Sequence, residues 1–396
     1  MKICIIVDDY MPHSIKVAAK MMHELACEFI KQGYEVSVIT PDSTISSLSV
    51  EKLDGVNIYR FYSGEIKNVG KVKRAINETL LSWNVWKNSK DVLKNNPHDL
   101  IIYYSPTIFF GPFVYMLKKE WNVKSYLVLR DFFPQWTIDN KILKKHSLIT
   151  YYFKFFERIN YAVADTIGVM SEKNLEWFRN YYRTDKPLEV LYNWADLQMF
   201  GKEYDRYKNE LGLEDKVVFF YGGNLGHAQD MMNIVRLAVN MRDEKQAHFV
   251  LVGAGDEYEL IQDNIESQDM ENITLLPSVN QKEFKQMLSE FDIGLFSLNK
   301  NHTTHNFPGK LLGYMVQEMP ILGSINPDND LKNILEEFEA GLVTVNGEDQ
   351  LFYENAKKLL DESFRLQMGK NAKRLVLDKF SVLSTVEQIT KDLFIS

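Results

Sequence analysis

At residues 217–226 the sequence reads VVFFYGGNLG. The apolar and aromatic residues at the start predict a buried strand, and the glycines that follow predict a tight turn at its carboxyl end. Glycine lets a backbone approach a phosphate closely, and a helix beginning after the turn would offer amide groups to an anion. A turn without any ligand fits the pattern equally well, because glycine-rich turns are common.

A second strand and glycine turn follow at once, over residues 247–255, AHFVLVGAG. Two adjacent turns of this kind favour a ligand more strongly than one. A dinucleotide-binding strand would need a third glycine at position 258, which is Tyr258. The sequence therefore argues against a nicotinamide-dependent dehydrogenase.

Strand patterns alternate with helical patterns along the whole chain, and the series restarts near residue 216. This alternation predicts an α/β protein with two Rossmann-like, doubly wound domains built on parallel sheets. The polar stretch 196–215 is the predicted linker, so we place the domains at 1–196 and 197–375. Ligands of such sheets bind beyond the carboxyl ends of the strands, and we expect the two domains to face a central cleft.

Composition excludes several classes of protein. The chain has 396 residues and two cysteines, Cys4 and Cys27, which give no disulfide framework. Residues 1–199 hold 26 Lys and Arg against 22 Asp and Glu, while the remainder holds 20 against 32. This balance argues against a nucleic-acid partner. The absence of a signal-peptide pattern and of a long apolar run predicts a cytoplasmic protein.

A polar loop at residues 302–309 follows a predicted strand and leads into a helix that starts near Pro308. Lys310 lies at this helix start, where a cation gains nothing from the helix dipole, and this favours an anionic ligand. A solvated lysine is the alternative. His302 and His305 lack a third ligand at metal-binding spacing, so we expect no metal there.

Two loops of the first domain also follow strands. Tyr10, His13 and Ser14 come after the opening strand, and Arg130 and Asp131 come after the strand at 124–129. We expect these side chains to contact a second substrate. A structural ion pair between Arg130 and Asp131 is the alternative.

Taken together, the motifs resemble family 4 retaining glycosyltransferases of bacterial surface-polysaccharide assembly, which have the GT-B fold. The likeness covers nearly the whole chain. It is carried by Asn193-x-x-Asp196, the glycine turns at 221–226 and 251–255, Leu276–Val279, Pro320–Leu322 and Ala340–Val343. Residues 130–134 and 307–315 are most similar to N-acetyl-L-fucosamine transferases of O-antigen and capsule repeats. The resemblance also implies that the segment 376–396 packs back on the first domain.

The resemblance implies a UDP-sugar as donor, a polyprenyl-diphosphate-linked sugar as acceptor and no metal or other cofactor. The donor-binding residues would be Gly222, Gly223, Asn224, Leu225, Gly226, Gly253, Gly255, Val279, His305, Phe307, Pro308, Gly309 and Lys310. The acceptor-binding residues would be Tyr10, His13, Ser14, Arg130 and Asp131. Asp131, His13 and Lys310 are the candidate catalytic residues, with Lys310 stabilising the departing diphosphate.

The sequence departs from the family pattern at three positions, and it also lacks the lysine that the family often has after its first glycine turn, where His227–Asp230 stand. The family often has two glutamates eight residues apart, and the alignment places His305 and Gly313 there. Asn224 replaces an arginine that the family often has in its first glycine turn. These changes leave the diphosphate to backbone amides and Lys310.

Lysines at 141, 144 and 145 precede the aromatic run Tyr151–Phe156. Cations beside aromatic side chains are typical of a surface that meets anionic lipid, so we expect peripheral contact with the inner face of the plasma membrane. Aromatics in the core beside solvated lysines are the alternative. Two other functions fit a two-domain protein, a nonhydrolysing nucleotide-sugar 2-epimerase and a non-catalytic sugar-binding protein.

Overall fold

The computed structural model describes residues 1–14, 16–65, 70–105, 107–139, 141–182, 184–194, 197, 199, 201, 206–301, 309–327 and 329–391. The chain divides into two compact units. Unit 1 comprises Met1–Tyr192 and the segment from Thr385 onward, and unit 2 comprises Asn193–Ser384.

Unit 1 is built on an eight-stranded sheet with the order β3-β4-β2-β1-β5-β6-β7-β8. Every neighbouring pair is parallel except β3 and β4, which form an antiparallel hairpin. The strands are β1 Lys2–Ile6, β2 Glu35–Asp42, β3 Ser49–Leu53, β4 Val56–Tyr62, β5 Leu100–Ser105, β6 Lys124–Leu129, β7 Thr166–Val169 and β8 Leu188–Val190.

Helices cover this sheet because their apolar faces bury side chains against the strands. They are α1 Val17–Lys31, α2 Lys71–Thr79, α3 Leu81–Lys94, α4 Gly111–Trp121, α5 Gln135–Asp139, α6 Leu148–Val163 and α7 Glu172–Tyr182. The core includes Phe109 and Phe110, which directly precede α4, and Phe113 in its first turn, and all three are almost completely buried.

Unit 2 has a six-stranded, wholly parallel sheet with the order β11-β10-β9-β12-β13-β14. Its strands are β9 Val217–Asn224, β10 Ala247–Ala254, β11 Ile273–Leu276, β12 Ile293–Ser297, β13 Ile321–Ile325 and β14 Gly341–Val345. Its helices are α8 Arg206–Leu211, α9 Met231–Asn240, α10 Tyr258–Ser267, α11 Gln281–Glu290, α12 Lys310–Val316, α13 Leu331–Glu337, α14 Asp349–Lys358 and α15 Glu362–Lys379.

The last helix, α16 Val382–Thr390, begins in unit 2 and ends in unit 1. Near its end, the Gln388 side chain donates to the Val190 carbonyl at 2.8 Å, and Lys391 pairs with Glu189 on β8. None of the helices in the described part of the chain is both long enough and apolar enough to cross a bilayer.

Each sheet has one point where the strand order reverses. In unit 1, β1 lies between β2 and β5; in unit 2, β9 lies between β10 and β12. Open α/β sheets bind ligands at the carboxyl ends of strands beside such a reversal. The loops after β1 and β9 are therefore the first places to look for a site.

The structure differs from the sequence-based expectation in two local details. The spacing of apolar residues over 71–95 predicts one long helix, whereas the structure has two helices with a break at Leu80. Strand β3 was not predicted; it pairs with β4 across the tight turn at Asp54 and Gly55, both with positive φ. Asp-Gly at such a turn is a strong hairpin signal that the alternating βα pattern concealed.

Candidate functional site

The two glycine turns of unit 2 interlock. Strands β9 and β10 pair so that Gly223 lies opposite Gly253. A Cβ on Gly253 would lie 1.8 Å from the Gly223 carbonyl oxygen, and a Cβ on Gly255 would lie 2.2 Å from the Leu225 carbonyl oxygen. Gly223 has a φ of +137°, a conformation that side chains disfavour. Gly253 and Gly255 therefore hold the first turn in shape by leaving room for its backbone.

The Lys310 ammonium lies over this turn. Its Nζ is 3.6 Å from the centroid of the Tyr221 ring, within cation–π range, and 3.2 Å from where a Cβ of Gly223 would be. Burial lowers the pKa of Lys310 to about 7. Among the residues that the structure describes, no carboxylate forms an ion pair with it. A half-buried cation beside an exposed glycine backbone is suited to an anion.

Tyr314 fixes the turn to helix α12. The Gly222 amide donates to its hydroxyl oxygen at 3.1 Å, and Tyr314 lies one helical turn after Lys310. A Cβ on Gly222 would lie 2.2 Å from the Phe284 ring. The helix start, the strand end and α11 thus set one position for both the ammonium and the turn.

The helix after the glycine turn does not have the expected form. A short 3₁₀ turn, His227–Gln229, comes first, and α9 begins only at Met231. The Met231 amide donates to Glu257 Oε2 at 3.0 Å, and the His227 amide to Asp256 Oδ1 at 3.3 Å. Since these amides are already bound by carboxylates, the expectation that the helix terminus offers them to an anion is wrong for both.

The remaining candidate donor-binding residues have fewer contacts that fix their positions. Asn224 is exposed, and its side-chain amide donates to Gln229 Oε1 at 2.8 Å. Val279 is half-buried just before α11, whose start Asn280 and Glu283 fix by a reciprocal capping box. Gly309 directly precedes α12 and is exposed. His305, Phe307 and Pro308, like His302, lie outside the described residues.

In unit 1, the loop after β1 is held by side-chain bonds. Buried Tyr10 bonds to His23 Nδ1 at 2.8 Å, and His13 Nδ1 lies 3.0 Å from Asp42 Oδ2. Ser14 Oγ accepts from the Lys16 amide at 3.3 Å. Of these three candidates, His13 has a largely exposed side chain, whereas Tyr10 and Ser14 are buried.

The loop after β6 carries the other two candidates. Burial raises the pKa of Asp131 to about 6, although hydrogen bonds from the Trp136 side chain and the Phe133 amide oppose the shift. Arg130 donates to the Tyr192 carbonyl at 3.2 Å, and burial lowers its pKa to about 10, so it stays protonated at neutral pH. Asp131 thus titrates near neutral pH, where a carboxylate can exchange protons with a substrate.

Sequence reasoning missed Tyr221 and Tyr314 as parts of the site. Both were visible: Tyr221 directly precedes the glycines, and Tyr314 follows Lys310 by four residues. A spacing of four places two residues on one helix face. Nothing in the sequence, however, indicated that this face meets the turn after β9.

Two family models match the chain. Residues 18–199 match the model of Glycosyltransferase Family 4, and residues 203–375 match that of Glycosyl transferases group 1. The chain belongs to the glycosyltransferases. Both models fall on the two units and leave only residues 1–17, 200–202 and 376 onward unmatched.

One relative of this glycosyltransferase is a distant match. A colanic acid biosynthesis glycosyl transferase of Escherichia coli K12, WcaI, described as putative, is 22% identical over 220 residues. That match covers 54% of this chain and 54% of the relative, so it spans about half the length of each protein.

Solved structures match over the full length. HepE of Anabaena, in a complex with UDP, has a TM-score of 0.67 at 14% identity and covers 100% of both chains. Sucrose-phosphate synthase of Thermosynechococcus elongatus has a TM-score of 0.65 at 14% identity and covers 100% of this chain and 99% of its own. With two parallel-sheet α/β units, these matches confirm the predicted GT-B fold.

Proposed function

We propose that this glycosyltransferase transfers a sugar from a UDP-sugar, with retention at the anomeric carbon, to a polyprenyl-diphosphate-linked sugar in surface-polysaccharide assembly. N-acetyl-L-fucosamine is the sugar that residues 130–134 and 307–315 favour by their resemblance. The likeness to WcaI supports a surface polysaccharide as product, and the likeness to HepE with bound UDP supports the nucleotide.

The position of Lys310 carries the proposal. Its ammonium lies beside the exposed, glycine-only backbone at Gly223, so a diphosphate on that backbone would meet a cation whose charge is not neutralised by a described carboxylate. When the bond from the sugar to the diphosphate breaks, negative charge grows on the leaving oxygen. An ammonium held in place by Tyr221 stabilises that charge without reorganising.

Binding of the donor also favours the protonated, positively charged form of Lys310. With its pKa near 7, a large share of the free enzyme carries it neutral at neutral pH. A bound diphosphate favours the protonated form, because an opposite charge within a few ångströms raises the pKa of a lysine. Donor binding therefore takes up a proton in this proposal.

Unit 1 would bind the acceptor. Asp131 lies directly after β6 with a pKa of about 6, so its carboxylate is mostly ionised at pH 7 and can accept a hydrogen bond from an acceptor hydroxyl. Arg130, His13, Tyr10 and Ser14 are proposed as its companions. Asp131 is half-buried and has a raised pKa, so it fits this role better than the more exposed His13.

A lipid-linked acceptor requires contact with a bilayer, and helix α6 has a suitable face. Leu148, Tyr151, Tyr152 and Phe155 recur at the spacing of one helix face, and all four are exposed. Phe153 and Phe156 instead pack against the core, so the aromatic run is divided between two faces. Exposed Lys144 and Lys145 precede the helix, which suits anionic lipid headgroups.

The test is UDP release from candidate UDP-sugars, with and without a polyprenyl-diphosphate-linked acceptor. We expect release that depends on the acceptor, together with a new α- or β-linkage that matches the anomeric configuration of the donor. Conversion of the donor to an epimer without an acceptor would overturn the proposal in favour of an epimerase. Tight sugar binding without turnover on any donor would overturn it in favour of a non-catalytic binding protein.

A further inference from the structure

Three potential metal ligands converge in unit 1, and one of them is bonded to Tyr10. His23 and Cys27 lie four residues apart on α1, so they share one face of the helix. Asp54 comes from the turn between β3 and β4. Its Oδ2 is 3.0 Å from His23 Nε2, and Cys27 Sγ is 3.5 Å from the same nitrogen.

We propose that His23, Cys27 and Asp54 form a binding site for a divalent transition-metal ion of the zinc class. The three ligand atoms lie within 4.8 Å of one another. Zinc binds nitrogen and oxygen at about 2.0 Å and sulfur at about 2.3 Å, so a tetrahedral site separates its ligand atoms by roughly 3.3–3.8 Å. The observed distances from His23 Nε2, 3.0 Å to Asp54 and 3.5 Å to Cys27, are close to that range, and the third pair lies within 4.8 Å.

The His23 ring is oriented for this task by Tyr10. The Tyr10 hydroxyl bonds Nδ1 at 2.8 Å, which leaves Nε2 to face Asp54 and Cys27. Metal-bound histidines usually have such a partner on the second ring nitrogen. Without a metal, Nε2 can carry one hydrogen and serve only one of its two neighbours. A cation satisfies the lone pairs of all three groups together.

The turn that carries Asp54 is rigid. Asp54 and Gly55 both have positive φ, and the hairpin they close has only these two residues between its strands. Gly55 lies against Ile30 of α1, since a Cβ there would be 3.2 Å from Ile30 Cδ1. The ligand from the hairpin is thereby fixed against the helix that carries the other two.

The mixed ligand set favours zinc over magnesium or calcium, and the site is open to solvent on one side. Imidazole and thiolate are ligands for borderline and soft metals, whereas magnesium and calcium prefer oxygen. His23 is buried, but the Asp54 side chain is 67% exposed, so an ion can enter from that side. Three protein ligands leave a fourth position for water, and binding releases the Cys27 thiol proton.

Cobalt(II) is the probe for this site. We expect the chelator-treated full-length protein to bind one Co²⁺ with a thiolate-to-cobalt charge-transfer band, and Zn²⁺ to displace it. Cys27→Ala should abolish the band, while the matched control Cys4→Ala, which removes the buried cysteine of β1, should keep it. Asp54→Asn should weaken Co²⁺ binding at least tenfold, and asparagine tolerates the positive φ of the turn.

A band that survives Cys27→Ala would overturn the proposal, as would Co²⁺ affinity unchanged in Asp54→Asn. Thermal unfolding gives a second measurement that does not depend on cobalt. Stoichiometric Zn²⁺ should raise the Tm of the wild-type protein and leave that of Cys27→Ala unchanged. An equal Tm increase in both proteins would assign zinc to another place.

Discussion

The loops after β9 and β1 occupy equivalent places in their sheets, but they are built differently. The loop after β9 exposes backbone: Gly223 has no side chain, and Gly253 has none because the Gly223 carbonyl fills its space. The loop after β1 presents the exposed side chain of His13, which is bound to Asp42, whereas its Tyr10 and Ser14 are buried. A backbone turn suits the group that every UDP-sugar carries, a diphosphate. Side chains suit an acceptor that differs between enzymes.

The most severe test of this contrast is Lys310→Met. It removes the cation and keeps much of the side-chain length, so we expect kcat to fall by about 10²- to 10³-fold, as for loss of one transition-state donor. Because burial disfavours the charged lysine, we expect the Tm of the donor-free variant to be no lower than that of the wild type.

The control for this variant is Lys370→Ala, which removes an exposed lysine of α15 and should leave kcat within about twofold. If Lys310→Met kept wild-type turnover, the assignment of Lys310 to the donor site would be wrong.

Gly253→Ala tests whether the donor binds to the exposed backbone turn at Gly223. Its Cβ would displace the Gly223 carbonyl, at a cost of about 1–3 kcal/mol for overpacking. If that cost falls on the donor-binding form of the turn, UDP affinity drops by roughly 5- to 100-fold, which calorimetry would measure.

Gly70→Ala is the matched control, since a Cβ at Gly70 meets nothing within 4 Å and its φ is −57°. Equal UDP affinity in Gly253→Ala and the wild type would indicate that the donor does not use this turn.

The candidate donor and acceptor sites also differ in the pKa of their charged side chains. Asp131, with its pKa raised to about 6, must lose its proton to accept one, so kcat/KM should rise as pH increases through about 6. Lys310, with its pKa lowered to about 7, must keep its proton, so kcat/KM should fall above about 7, by about tenfold for each pH unit. We therefore expect kcat/KM to show a narrow bell-shaped dependence on pH, with its maximum between about 6 and about 7.

Lys310→Arg should remove the alkaline limb, because arginine stays protonated. With saturating donor, the alkaline limb of kcat should move upward, since the bound diphosphate raises the pKa of Lys310. An alkaline limb that is identical in Lys310→Arg would assign that limb to another group.

The smallest effect is expected at the lipid face. Tyr151 and Phe155 are 56% and 59% exposed, and replacing both by serine should weaken binding to anionic liposomes about five- to tenfold. Turnover on a water-soluble acceptor analogue should not change. Leu366→Ser is the control, because Leu366 on α15 is 57% exposed but lies in the other unit. Equal flotation of all three proteins would remove membrane contact from the proposal.

Much of the fold was readable from local patterns. A strand buried on both faces is a run of apolar residues, as in Ile3–Ile6 of β1. The hairpin strand β3 was missed because the alternation of strands and helices concealed the Asp54-Gly55 turn that joins it to β4. Likewise, the pattern at 71–95 is continuous as a helix, and no glycine or proline in the sequence marks the break at Leu80.

The sequence by itself determined that two parallel-sheet units are present and that a glycine turn ends the first strand of the second unit. Both properties follow from patterns among residues that are close together in the sequence. Only the tertiary structure placed Lys310 over Tyr221, Glu257 on the Met231 amide, and Asp54 beside His23. These pairs are 26 to 89 residues apart, and they meet because separate βα units are packed side by side, which no local pattern encodes.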